Sequence, residues 1–115
     1  MAVKSLACGE NPVIHIEAED HLSLGGWDQS EIQVKIQDES SLQLNQQDSA
    51  FYIHAYEDCV VSIPVNAQVL IQKVKGSASI SSLTGPITIH NVGGHLTLRE
   101  VGAVRCDNVG GHLKV

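Results

Sequence analysis

The stretch that decides the fold is Gln72–Val115, which repeats itself with a period of nine residues. In register it reads Gln-Lys-Val-Lys-Gly-Ser-Ala-Ser-Ile (72–80), Ser-Ser-Leu-Thr-Gly-Pro-Ile-Thr-Ile (81–89), His-Asn-Val-Gly-Gly-His-Leu-Thr-Leu (90–98), Arg-Glu-Val-Gly-Ala-Val-Arg-Cys (99–106) and Asp-Asn-Val-Gly-Gly-His-Leu-Lys-Val (107–115). Each copy places one apolar residue two before the turn glycine and two more at alternate positions after it. The fourth copy has Ala103 in the glycine position and is one residue short. A short fixed period is the mark of a stacked, quasi-one-dimensional fold.

A strand rises ~3.3 Å per residue, so nine residues supply one short strand and one corner. Gly76, Gly85, Gly94 and Gly111 are the expected structural turns, where glycine tolerates positive φ. Alternate copies match best: His90–Leu96 parallels Asp107–Leu113. The spacing therefore predicts two units per coil, with neighbouring coils paired as parallel strands. Asn91 would then lie over Asn108 and His95 over His112. Stacked asparagines can form a structural ladder, or serve as turn residues bonding their own backbone; the two roles are compatible. The short copy should shift the register by one residue and needs a bulge or a shortened corner to keep Val104 and Cys106 inward.

Upstream, period-two alternation marks further strands: Ile14, Ile16 and Ala18; Leu22 and Leu24; Ile32, Val34 and Ile36; Leu42 and Leu44; Ile53 and Ala55. Pro64 belongs at a strand end or edge, because proline donates nothing to a ladder. No segment has helical periodicity. The fold class expected is all-β: a single-stranded parallel β-solenoid, or β-helix, of about nine-residue strand-and-turn units, with a less regular β N-terminal part. Residues 1–12 read as a flexible lead-in and 13–115 as one domain. Within it, 13–71 are irregular strands forming an N-terminal cap and 72–115 are the five repeats.

The 115 residues suffice for one core, and β-branched residues dominate over Trp27, Phe51, Tyr52 and Tyr56, the only aromatics. A net charge of −6 without a basic run argues against nucleic acid or an anionic membrane surface. No apolar run approaches the ~20 residues of a membrane span. The three cysteines, Cys8, Cys59 and Cys106, form no CxxC and suit reduced thiols in a cytoplasmic protein. Ser5-Leu6-Ala7-Cys8 is similar to a lipoprotein cleavage site but lacks the preceding apolar segment. A cell-surface location is the alternative if the chain is a fragment.

The repeats and the half before them resemble the bacterial putative-adhesin domains of unknown function. The residues that carry the likeness are Ile14-His15-Ile16-Glu17, Asp20-His21-Leu22, Gly26-Trp27-Asp28, Glu31-Ile32-Gln33-Val34 and Ser62-Ile63-Pro64, followed by the repeats. The resemblance spans roughly Val13–Val115 and implies a β-solenoid more firmly than any activity. The chain departs from the family in having His21, His95 and His112 where Asp usually follows the turn glycine. A looser likeness to bactofilins, a polymerising β-solenoid family, adds self-assembly to the expectations.

Six histidines raise the question of metal, since imidazole is a common ligand. His95 and His112, at equivalent repeat positions, are the metal-ligand candidates, with solvated turn histidines as the plain alternative. No catalytic residue is assigned: the serines lack a G-x-S-x-G context, and Glu57 and Asp58 beside Cys59 should raise its pKa. Glu17 and Glu19 fall on an exposed face. Trp27 either stacks on a ligand or caps the core. No cofactor is expected.

The function expected is a non-enzymatic scaffold that self-associates, as a homo-oligomer or filament, through an open solenoid end at Leu113 and Val115. Unpaired strands invite another subunit. The alternatives are an adhesin-like module presenting the solenoid face to a protein or glycan, and weak histidine-mediated metal binding.

Overall fold

The computed structural model describes residues 2–7, 12–47 and 50–114. Cys8 and Val115 lie outside them. Among the described residues the chain is all-β, with thirteen strands and a single 3-10 turn at Glu39–Ser41. Among the described residues no helix is long and apolar enough to cross a membrane. The strands are β1 (Ala2–Ala7), β2 (Val13–Ala18), β3 (Leu22–Trp27), β4 (Glu31–Ile36), β5 (Leu42–Gln47), β6 (Ala50–Ala55), β7 (Cys59–Pro64), β8 (Gln68–Val74), β9 (Ala78–Leu83), β10 (Ile87–Val92), β11 (Leu96–Val101), β12 (Val104–Val109) and β13 (Leu113–Lys114).

They form two mostly parallel sheets. The first is ordered β1-β4-β7-β3-β9-β11-β13 and the second β12-β10-β8-β2-β6-β5. From β7 onward each strand lies in the sheet opposite its predecessor. From β8 onward, strands therefore pair with those two places along the chain. Ile87 pairs with Val69, eighteen residues back, and with Val104, seventeen ahead. The change from eighteen to seventeen is the short fourth copy. The corner absorbs it: Thr84-Gly85-Pro86 joins β9 to β10, whereas only Gly102-Ala103 joins β11 to β12. Val104 and Cys106 consequently still face Ile87 and Ile89.

The inward side chains of both sheets make one cluster, including Ile14, Leu24, Val34, Phe51, Val61, Ile71, Ile80, Ile89 and Leu98. Each aliphatic buried in it contributes about 1.5–3 kcal/mol. No polar or charged side chain is buried among the described residues. Within β9 and β11 an extra residue stands between two inward positions. Ser82 (φ 58°) and Glu100 (φ 50°) take left-handed backbone there, which lets Leu83 and Val101 point inward.

Three expectations need correction. Ala2–Ala7 is not a flexible lead-in: it forms β1, paired antiparallel to β4 from Ala2↔Ile36 to Ala7↔Glu31. The turn glycines are not chosen for positive φ, since none of Gly76, Gly85, Gly94 and Gly111 has it. They are small because rungs stack closely: a Cβ on Gly85 would lie 2.2 Å from the Ala67 oxygen, and one on Gly111 2.7 Å from the Gly94 oxygen. Third, the N-terminal half is interleaved with the rest. β2 and β3 insert between β6–β7 and β8–β9, while β1, β4 and β5 run antiparallel to their neighbours at one end. The link from β7 to β8 passes over the end of β3. There Val65 N–H donates to the Trp27 oxygen, and the Val65 oxygen accepts from Thr84 and Gly85.

Candidate binding surface

The outer face of the second sheet carries the most developed surface. Registration across five strand pairs sets Asn45, Tyr52, His15, Leu70, Thr88 and Arg105 in one outward row. The His15 and Tyr52 rings stack, centroids 4.6 Å apart and planes 11° apart. Two residues further along β6, His54 stacks on Tyr56, which directly follows the strand, at 4.3 Å and 26°. Period-two alternation puts Tyr52, His54 and Tyr56 on the same side of the chain. Both tyrosines remain open, at 39% and 48% exposure. Beside them lies a trough of about 600 Å³, walled by Gln43, Asn45 and Gln47 of β5 and by Gln72 of β8, with His15, Glu17, Tyr52 and His54 between.

An ionic cluster adjoins the trough. Lys75 Nζ lies 2.5 Å from Glu19 Oε2, and His54 Nε2 lies 3.3 Å from Glu19 Oε1. The hydrogen bond from Lys75, then that from His54, holds the Glu19 carboxyl below its ordinary range, and Glu19 in turn raises Lys75. Glu19 is thus not a solvated surface charge but a half-buried, paired one. Glu17, Glu19 and His54 could converge on a cation, as could the exposed Asp20, His21 and Asp58. In the first group Lys75 already neutralises Glu19.

The sequence-derived candidates fall elsewhere, along the corner that leads into the first sheet. The His95 and His112 rings stack at 5.1 Å and 2°, yet neither joins a cation-binding cluster among the described residues. Their role is in the backbone. His21 N–H donates to Asp58 Oδ1 (3.0 Å), Ser77 N–H to His21 Nδ1 (2.9 Å), His95 N–H to Ser77 Oγ (3.2 Å) and His112 N–H to His95 Nδ1 (3.1 Å). Each rung's side chain accepts the next rung's corner N–H. His21 and His95 thus play the part that Asp58 plays at the start of the ladder, because imidazole Nδ1 and carboxylate Oδ1 sit at the same distance along the side chain and both accept.

Asn108 Nδ2 donates to Asn91 Oδ1 at 3.1 Å, with the two residues in register. His90 Nδ1 lies 3.0 Å from Asp107 Oδ2. Trp27 is half-buried, its Nε1–H donating to the Glu31 oxygen at 2.8 Å. Leu113 is 52% exposed on β13. Cys59 is buried, and burial, with the Asp58 charge second, pushes its thiol up to about 12. A larger concavity of about 800 Å³ runs beside the corner ladder over Ser23, Ser79 and Thr97 of the first sheet, with His21 and His95 at its edge.

Residue patterns did not single out Tyr52, Tyr56, His15 and His54. A signal was present in Phe51–Tyr56, where alternation leaves Tyr52, His54 and Tyr56 outward while Phe51, Ile53 and Ala55 face in. The pairing with His15, 37 residues away, was not legible.

No protein-family profile matches the chain, and no curated protein matches it. Among solved structures it is similar to a putative cell adhesion protein from Clostridium sporogenes, with a TM-score of 0.55 and 6% identity over 98% of this chain and 96% of that one. A putative adhesin from Bacteroides fragilis aligns with a TM-score of 0.38 and 10% identity, covering 99% and 96%. At 6% identity the first likeness shows a shared fold.

Proposed function

We propose that the protein is a non-enzymatic, adhesin-like binding module of β-solenoid architecture, presenting the outer face of its second sheet to a glycan or protein. The observation that carries this reading is the pair of stacked His–Tyr columns standing open beside the amide-walled trough. Aromatic groups fixed on strands supply contact area without the entropy cost of ordering a loop. The structural likeness to a protein named for cell adhesion points the same way. The test coats beads with the chain and flows them over immobilised glycans and cell-surface proteins. Retention on at least one panel member, lost in Tyr52→Ala/Tyr56→Ala, is expected. Retention no greater than that of the double variant on every member sinks the reading.

A second reading, self-association through β12 and β13, has its own support. Val101, Val104, Cys106 and Val109 are only partly buried, whereas their partners one rung inward, Leu83, Ile87, Ile89 and Val92, are buried. A second copy stacked there would complete the burial. Light scattering across micromolar concentrations should then show an oligomer that Leu113→Lys weakens; a monomer throughout defeats it. The first reading requires the binding face outside the cell, and the second suits a cytoplasmic protein.

A further inference from the structure

The geometry points to a neutral oligosaccharide as the ligand of the trough between β5 and β8. This inference rests on the binding-module reading and names its ligand class.

Three observations carry it. The first is charge. Glu19 is ion-paired with Lys75, and Lys73 stands on the neighbouring strand in register with Glu17, the one carboxylate that lines the trough. The remaining polar lining is amide, imidazole and phenol. Such a surface offers no field to steer an anionic or cationic polymer. The second is hydrogen-bonding capacity. Gln43, Asn45, Gln47 and Gln72 each offer both donors and acceptors. Sugar hydroxyls, which donate and accept at once, are satisfied by such groups, and a purely apolar or purely charged ligand is not. The third is the rings. Tyr52 and His15 occupy neighbouring strands and brace each other at 4.6 Å. Their positions are fixed before a ligand arrives, so binding loses little side-chain entropy. A pyranose has C–H patches that pack on aromatic carbon while its hydroxyls reach the amides.

The spacing is also suitable. The side chains of this row stand on successive strands, ~4.8 Å apart, which is about the length of one sugar in an extended chain. A glycan lying across the strands would meet Asn45, Tyr52 and His15 in succession. A protein partner fits less well. Protein interfaces centre on a desolvated apolar anchor, and apart from Tyr52 the trough offers only Ile53, which is buried.

The experiment titrates the isotope-labelled full chain with cellotetraose, chitotetraose and mannotetraose, with a heparin-derived tetrasaccharide as the charged comparator, and follows amide resonances. Saturable shifts confined to β2, β5, β6 and β8 are expected with at least one neutral sugar. Tyr52→Ala should weaken binding about tenfold. Asn45→Ala, on the exposed end strand, should weaken it with the fold intact, and Ser79→Ala on the other sheet should leave it unchanged. The inference is overturned if no neutral sugar binds, if the shifts map elsewhere, if Tyr52→Ala and Asn45→Ala bind as well as the parent, or if the sulfated sugar binds more tightly. Should the coated beads adhere to a protein while every sugar fails, the ligand class is wrong and the binding-module reading survives.

Discussion

The backbone N–H of His112 donates to Nδ1 of His95, 3.1 Å away, and the two rings lie parallel within 2°. His95 is thus an acceptor, a role that Ser77 plays one rung earlier with its hydroxyl. The consequence is a substitution rule. His95→Ala should cost about 1 kcal/mol through the lost acceptor. His95→Ser and His95→Asp should recover most of that. Urea unfolding of the three variants checks this, and equal losses in all of them would remove the ladder from the account.

Glu100 holds left-handed backbone (φ 50°) on an exposed stretch of β11. That conformation costs a non-glycine residue roughly 1–2 kcal/mol. Glycine relieves it but loses more entropy on folding. Glu100→Gly should therefore gain about 0.5–1 kcal/mol. A raised melting temperature is the expected readout; a lowered one would mean that the side chain has a role the strain argument omits.

Gly26 is the opposite case. A Cβ there would fall 1.9 Å from the Ser82 carbonyl oxygen and 3.0 Å from a Val65 methyl. The obstacle is backbone, so no rotamer change relieves it. Gly26→Ala should destabilise by at least about 2 kcal/mol, with the loosened amides mapping to Trp27, Val65 and Thr84 in hydrogen exchange.

Glu19 links stability to pH. Lys75 and His54 lower its folded-state pKa below the unfolded value. Its contribution is therefore complete above the ordinary carboxylate range of about 4 and is lost as pH falls through the lower folded value. Glu19→Gln should be less stable than the parent at neutral pH, with the two curves converging in acid. Parallel curves at every pH would contradict the pairing.

Cys59 combines burial with a thiol pushed up to about 12. Thiolate is the reactive form. Iodoacetamide at pH 8 should leave Cys59 unmodified in the folded chain and label it in denaturant, as read by mass spectrometry of the peptide. Prompt labelling of the folded chain would show that β7 opens locally.

The repeats were legible because a nine-residue period fixes, residue by residue, which side chains face in. Val92, Leu96 and Leu98 are buried where the formula places apolar residues, and the two-unit likeness appears as strands pairing two places apart. Even the missing residue near Ala103 was visible as a change of spacing. The glycines were found for the wrong reason, because close stacking of one rung on another is invisible in a linear pattern.

From Val13 onward the sequence by itself determined strands, corners and inward faces, since side-chain alternation is a local property of the chain. Outside the repeats it did not determine which strand lies beside which. Strand edges bond through backbone N–H and C=O groups that are the same for every residue, so alternation serves parallel and antiparallel neighbours equally. Only the tertiary structure set β2 and β3 between β6–β7 and β8–β9. That placement brings His15 against Tyr52 and Lys75 against Glu19. The binding surface is a product of that interleaving, which is why no single stretch of sequence displays it.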